Sequence, residues 1–393
     1  MTINGSLNSQ FTLNPDIIHL NHGSFGATPT PVLEAQREWQ LRLEAEPVRF
    51  LARDLWEYLA QARQDLGVYL NASPSNLAFI PNATYGVNIV ARSLNLLPGD
   101  EIFATNHEYG ACQKTFEYIC RSTNALYRIQ PISLPVNSAE DIIDELWRGV
   151  TNKTKLIFFS HISSPTATNF PVAKICQRAR QAGILTLIDG AHAPGQINVD
   201  LKDIDADFYT GNCHKWMLGP KGSGFLYTRP ELQQMIEPLV VSWGWQADPE
   251  FSTGSQYLDH LQWMGTDDPS AFLAVPAAIS FMEQNHWPEI QRDCQELLFS
   301  AVQKLEQHLN TANISKIGDQ FSHQMAALEL PVQLQMETVK ATLYEKYNIE
   351  VPCYQWEGRN IIRVSIQGYN TPEDVEKLVA AIDQIIYKSH QLS

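Results

Sequence analysis

The chain of 393 residues is longer than one ordinary hydrophobic core serves, so two structural domains are expected. Its 44% hydrophobic and 18% charged residues are ordinary for a globular protein, and a formal net charge of −15 argues against a nucleic-acid partner or an anionic membrane surface. The cysteines are scattered, without a C-x-x-C pair or neighbouring histidines, so neither a metal site nor a redox motif is expected.

Residues 1–16 are polar and read as a flexible arm. They lack the basic start and apolar core of a signal peptide, and no apolar run is long enough to span a bilayer. A reduced, cytoplasmic setting is the default. IIHLNHGSFGATPTPVLEAQREWQ then passes from a short strand through a glycine turn into a helix, with Pro29 and Pro31 at its entry. The small residues around Asn21, His22, Gly23 and Ser24 leave room for a substrate against backbone, although a plain strand–turn–helix reads equally well. Residues 31–70 carry a helical period broken near Glu46-Pro47, with Leu51, Leu55, Leu59, Leu66 and Tyr69 on the apolar spacing. Arg49 precedes that face and suits either a carboxylate or plain solvation.

LAFI (77–80) is a short buried strand, and Asn82 caps a helix opening at Ala83. Such an N-terminus, with free N–H groups and a hydroxyl, is a ready phosphate site. GDEIFAT is turn plus strand, NHEYGA opens the next helix, and TKLIFFS is another strand. ILTLI (184–188), ADFYT (206–210) and GFLYT (224–228) are three further short strands. Asp189 ends the first and Lys215 lies in the turn after the second, so both leave neighbouring strand ends, where open α/β sheets place their ligand crevice. A lysine there suits a Schiff base with a carbonyl, and an aspartate suits a pyridinium nitrogen. Together they are two handles for pyridoxal phosphate (PLP). Lys221, in GPKGSG, is the rival lysine; Lys215 is preferred because it directly ends its strand. Trp243, Trp245 and Trp263 suit a substrate pocket, a dimer interface or ordinary packing. From about 280 the pattern shifts to a small α+β domain. Helices are expected near 288–310, over 336–347 and from Pro372, with Arg363 alternating on a strand. The expected organisation is an arm (1–16), a large α/β domain with a mostly parallel sheet flanked by helices (17–280), and a small C-terminal α+β domain (281–393), against which the start segment is free to pack.

IDGAHAPG (188–195) followed by YTGNCHKWMLGPKGSGFLY (209–227) resembles the fold-type I PLP enzymes of aminotransferase class V, and within that class the isopenicillin N epimerase-like branch. Cysteine desulfurases and cysteine/cystine lyases are similar at a greater distance. The resemblance runs from LNHGSFG (20–26) to RVSIQGYNTPEDVEKL near 370. It implies Lys215 and Asp189 as catalytic residues, with phosphate contacts from Ala83 and Thr84 and further donors from Asn212 and His214. It implies a ring from the NHEYGA turn, Tyr109 or else His107, against the cofactor face, and His192 as donor to the cofactor O3′. Where the family often has an asparagine, this chain has Ser164. Gly265-Thr266 matches a segment that reaches the other subunit's phosphate, which implies a homodimer with shared sites. Arg363 is implied to bind the substrate α-carboxylate, with Asn21 and His22 nearby. The implied activity is α-carbon chemistry on an amino acid or small peptide, epimerase-like, with β-elimination and transamination open. Desulfurases of the class use a loop cysteine; Cys353 is the candidate, but IEVPCY reads as strand. A non-catalytic PLP-binding protein is the reading from another class.

Overall fold

The computed structural model describes residues 7–248, 252–309, 314 and 322–392. In chain order the strands are β1 (Ile18–His19), β2 (Leu77–Ile80), β3 (Glu101–Thr105), β4 (Leu126–Gln130), β5 (Thr154–Ser160), β6 (Leu185–Gly190), β7 (Phe208–Asn212), β8 (Gly224–Thr228), β9 (Met325–Leu330), β10 (Ile349–Glu350), β11 (Cys353–Trp356) and β12 (Arg359–Ser365). A seven-stranded sheet has the order β2-β8-β7-β6-β5-β3-β4. β8 runs antiparallel to both neighbours, and the remaining pairs are parallel.

The apolar runs explain why this sheet is covered on both faces. In β5, Leu156 and Phe158 feed one hydrophobic core while Ile157 and Phe159 feed the other. Successive strand side chains point to opposite faces, so an unbroken apolar run requires two cores. Each buried Phe or Leu contributes roughly 1.5–3 kcal/mol. Helices Ala83–Ser93 and Gly110–Thr123 supply one layer. Helices Leu55–Leu70 and Val172–Gln181 supply the other. The long helical stretch breaks at Glu46, as its Glu-Pro pair predicts, and resumes through Pro47–Arg49 and the wide turn Phe50–Asp54. After β3 the chain goes outward to β4, then returns to β5 on the other side of β3. The crevice of the sheet therefore opens at the carboxyl ends of β3, β5, β6 and β7.

A smaller antiparallel sheet, β11-β12-β9, packs with helices Trp287–Leu309, Met336–Tyr347 and Pro372–Leu392 around a separate core. β1 pairs with β10, so the start segment joins the C-terminal part. The polar opening is no loose arm from Leu7 onward. Leu7 and Phe11 are buried, the Leu7 N–H donates to the Gly368 carbonyl at 3.2 Å, and the Phe11 ring meets Tyr369 edge-on at 5.0 Å. Two apolar residues in a polar stretch anchor it; residues 1–6 lie outside the described residues. No helix among the described residues is long and apolar enough to cross a membrane.

Two glycines press on the turn after β7. Gly26 has φ +73° and Gly195 φ +89°; a Cβ at Gly26 would lie 2.2 Å from the His214 carbonyl oxygen, and one at Gly195 would lie 2.2 Å from the Trp216 carbonyl carbon. Only glycine combines that backbone angle with that approach. Gly195→Ala is expected to cost at least about 2 kcal/mol of stability, read as a lower midpoint in urea unfolding.

Candidate active site

The crevice holds a cavity of about 480 Å³, walled by Tyr109 after β3, Ser160 to Ser164 after β5, Asp189 to His192 after β6, and Asn212 to Lys215 after β7. Ser24 and Phe25 close it from the start segment, and Asn82 to Thr84 from the capped helix. A second lobe of about 420 Å³ shares Ser24, Tyr109 and Ser164 with the first. It continues past Gln113, Tyr354, Trp356 and Arg363.

Asp189 pairs in register with Thr210 of β7, which brings the carboxylate and the Lys215 turn side by side. The Ala191 N–H donates to Asp189 Oδ1 at 2.9 Å, and the Cys112 thiol lies 3.6 Å from Oδ2. Burial raises the Asp189 carboxyl, opposed by the Ala191 hydrogen bond and the nearby Lys215. Lys215 Nζ sits 3.2 Å from His192 Nε2. Burial and then Arg363 hold the Lys215 amine down at about 8, with Asp189 opposing. Lys221 is not on the cavity wall; its Nζ donates to Thr28 Oγ1 at 3.4 Å.

At the other end, the Asn82 side chain accepts from the Tyr85 N–H at 3.0 Å and Asn212 Oδ1 accepts from the Ala83 N–H at 2.8 Å. A helix start leaves its first amides without intrahelical partners. Thr84, on the cavity wall, supplies the next amide and a hydroxyl. His214 Nδ1 lies 3.1 Å from the Ser223 carbonyl, so Nδ1–H donates there and Nε2 carries the lone pair in the neutral ring. His214 thus donates to an anion only as imidazolium, a form that burial and Lys215 disfavour.

Arg363 comes from β12 of the small sheet. Its guanidinium donates to the Ser164 carbonyl (2.7 Å) and hydroxyl (3.1 Å) and to Ser24 Oγ (3.1 Å). Its Nε is buried without a partner, and no carboxylate of the described residues forms an ion pair with it. A buried guanidinium lacking an anion is costly unless a ligand supplies one. Ser164 is thus spent on this arginine.

Several expected contacts are not brought to the cavity. His22 is fully buried, with Nε2–H donating to the Lys215 carbonyl at 3.1 Å and Nδ1 facing the Tyr369 hydroxyl at 3.0 Å. Both nitrogens are taken by the protein, so it braces the lysine turn rather than a substrate. Asn21 donates to Glu350 at 2.8 Å and accepts from the Ser24 hydroxyl at 2.5 Å. Ser24 is the wall residue of that turn, and its hydroxyl beside Arg363 was invisible in the periodicity. Tyr109, half exposed, lines both lobes, whereas His107 is buried between Thr166 and the Ile132 carbonyl. Arg49 is exposed and held by Glu46 and Asp54. Gly265 and Thr266 line a separate cleft with Leu51, Leu55 and Leu59. Trp243 and Trp263 line an apolar hollow with Trp56, away from the two lobes. Cys353 is buried in β11, where it pairs with Ile362.

Glu108 went unremarked in the sequence, although it is an acid between a strand and a helix start. It is buried on the second lobe's wall, with hydroxyls of Thr105 (2.5 Å) and Ser160 (2.7 Å) donating to it. Burial raises its carboxyl to about 7, the hydroxyls oppose this, and Asp189 adds to it.

A buried amine, a carboxylate on the adjacent strand and a capped helix start at Thr84, on an open α/β sheet, are the arrangement expected of a fold-type I PLP enzyme. A family model described as aminotransferase class-V matches residues 23–378, and the chain belongs to that family. It is 32% identical to isopenicillin N epimerase of Amycolatopsis lactamdurans over 386 residues, covering 96% of this chain and 97% of that one. It is 29% identical to a probable chloroplastic L-cysteine desulfhydrase of Arabidopsis thaliana, covering 95% and 84%. The fold matches that of a C-DES mutant with glycine covalently linked to its PLP cofactor, with TM-score 0.81, 22% identity and coverage of 96% and 98%. PLP is the cofactor, and the donor set fits it: amine, carboxylate, capped helix start and an anion-seeking arginine.

Glu108 sets a pH dependence. Its folded value lies above the ordinary 4.5, so the fold favours the protonated form, and a penalty appears as pH rises from about 4.5 to about 7 and stays above it. Compared with Glu108→Gln, the natural protein is expected to lose up to about 3 kcal/mol across that window, measured by denaturant unfolding at stepped pH.

Proposed function

We propose that this PLP-dependent enzyme acts at the α-carbon of an amino acid or small peptide and epimerises it. The observation that carries the reading is the junction of two lobes. One holds the Lys215 amine and the other the buried, uncompensated Arg363, with Tyr109 lining both. Arg363 would take the substrate α-carboxylate as a charge-assisted fork. When bound, PLP supplies the electron sink that acidifies the α-C–H. Asp189 would sit against the ring nitrogen and keep it protonated. The Thr84 amide and hydroxyl, with the Asn212 amide group, would hold the phosphate, and His192 would donate to O3′. The expected donors Ala83 N–H and His214 are spent on Asn212 Oδ1 and the Ser223 carbonyl instead. Lys215, with an amine near neutrality, takes the α-proton as general base. Tyr109 is the group for proton return from the other side.

Similarity to an epimerase along nearly the whole chain supports this outcome over its alternatives. C–S lysis is the second reading, favoured by the similarity to a cysteine desulfhydrase; transamination uses the same anchors. Persulfide relay through Cys353 draws no support, because all six cysteines are buried. A cytoplasmic homodimer completes the reading. The Gly265-Thr266 cleft, turned away from its own chain's cavity, would meet the phosphate of a second copy.

The test is NMR of amino acids and small peptides incubated with PLP-loaded protein in D2O. Epimerisation is expected to put deuterium at the α-carbon while the opposite isomer accumulates; pyruvate with released sulfide, or a keto acid with an aminated cofactor, would overturn it. Lys215→Ala is expected to abolish borohydride-fixable PLP, and fixation persisting at Lys221 would reassign the lysine. Arg363→Ala is expected to raise KM by roughly 30- to 5,000-fold, the size of loss seen when one partner of a buried charge pair is truncated.

A further inference from the structure

The residue after the lysine in HKW has no role so far. Trp216 is fully buried, and its indole N–H donates to His192 Nδ1 at 3.3 Å. An indole nitrogen is a donor only, so Nδ1 must carry a lone pair. In a neutral imidazole the proton then resides on Nε2, and Nε2 faces Lys215 Nζ at 3.2 Å. Two donors do not bond one another, so the lysine nitrogen must accept, which only the neutral amine does.

We propose that Trp216 is a positioning residue that locks His192 in its Nε2–H tautomer, so that the hydrogen bond from His192 selects the neutral amine of Lys215. The inference rests on Lys215 being the PLP lysine. The locking geometry is over-determined. The Trp216 ring lies 4.9 Å from His22, whose own N–H holds the Lys215 carbonyl. Gly195 presses on the Trp216 backbone from the other side, and Gln196 holds the His192 carbonyl at 2.8 Å. The other titratable or charged groups facing the pair are Asp189, Cys112, Arg363, His22 and His214. Of these, Arg363 acts with the lock and Asp189 against it.

Trp216→Phe keeps an aromatic ring, smaller than the indole, and removes the donor. His192 is then free to present its Nε2 lone pair, which accepts from the ammonium and favours it. The first readout is the nitrogen spectrum of apo protein carrying 15N-histidine, with His192 assigned through His192→Gln. Wild type is expected to show Nδ1 bare and Nε2 protonated, and Trp216→Phe a tautomer mixture. The second is the pH profile for covalent capture of PLP by apo protein, quenched with borohydride and weighed by mass spectrometry. Its midpoint is expected to move up by about half a unit in Trp216→Phe, roughly threefold slower capture near neutral pH. A protonated Nδ1 in wild type, or coincident profiles, overturns the proposal. If Trp216→Phe does not fold, the wild-type spectrum decides alone. A protein that captures PLP with the expected tautomer but epimerises nothing would sink the proposed reaction and leave this inference standing.

Discussion

Burial of the Lys215 amine is the constraint around which the other elements are arranged. Taking an ammonium out of water disfavours its charged form, and Arg363 adds repulsion that Asp189 only partly offsets. The cost, about 3 kcal/mol, is fully present below pH about 8, fades as pH rises from about 8 toward the ordinary 10.5, and is gone above it. Such a turn stays in place only if its backbone is held independently of its charge. Gly26 and Gly195 close on it from two sides, and His22 grips its carbonyl. The unbroken apolar strands beneath supply the rigidity. A loop lysine on a softer support would turn outward and recover its hydration.

The small antiparallel sheet matters to the site through one strand and one hairpin. β12 carries Arg363 to the crevice, while the Tyr354 hydroxyl bonds the Pro165 carbonyl at 2.7 Å and the Trp356 indole bonds the Asn106 carbonyl at 3.2 Å. These bonds tie the hairpin to loops that leave β5 and β3, so the wall of the second lobe is made from elements of both the large and the small sheet. β1 with β10 adds a further stitch, and it fixes Ser24 and Phe25 over the first lobe.

Sequence reading was strongest where one physical rule decides. Apolar runs bounded by turns located the strands, Asn82 marked a helix start, and an Asp and a Lys at neighbouring strand ends located the crevice. It was weakest where the outcome depends on which face a turn residue takes. Asn21, His22 and Ser24 share one small turn, yet only Ser24 reaches the wall, because Asn21 bonds Glu350 and His22 bonds Tyr369 and the Lys215 carbonyl. Leu7 and Phe11 were hidden by polar neighbours, since two apolar residues make no period. Glu108 carried no motif; its importance comes from hydroxyls on β3 and β5, which are distant in sequence.

Three ionisable groups in this crevice are held at a cost to the fold: an amine short of charge compensation, a carboxyl raised toward neutrality, and a guanidinium with an orphaned nitrogen. Cores do not accumulate such groups without return, because hydrophobic replacements of similar volume are often as stable or more so. On the proposed reading a substrate carboxylate would relieve Arg363 and the cofactor's carbonyl would take up the Lys215 amine, while the Glu108 carboxyl, raised chiefly by burial, would stay protonatable near neutral pH. The charges of the crevice complement the carboxylate and the carbonyl that the proposed reading brings to it. They do not by themselves choose the bond that breaks next; on the proposed reading that choice would fall to the less charged wall, above all Tyr109, which lines both lobes.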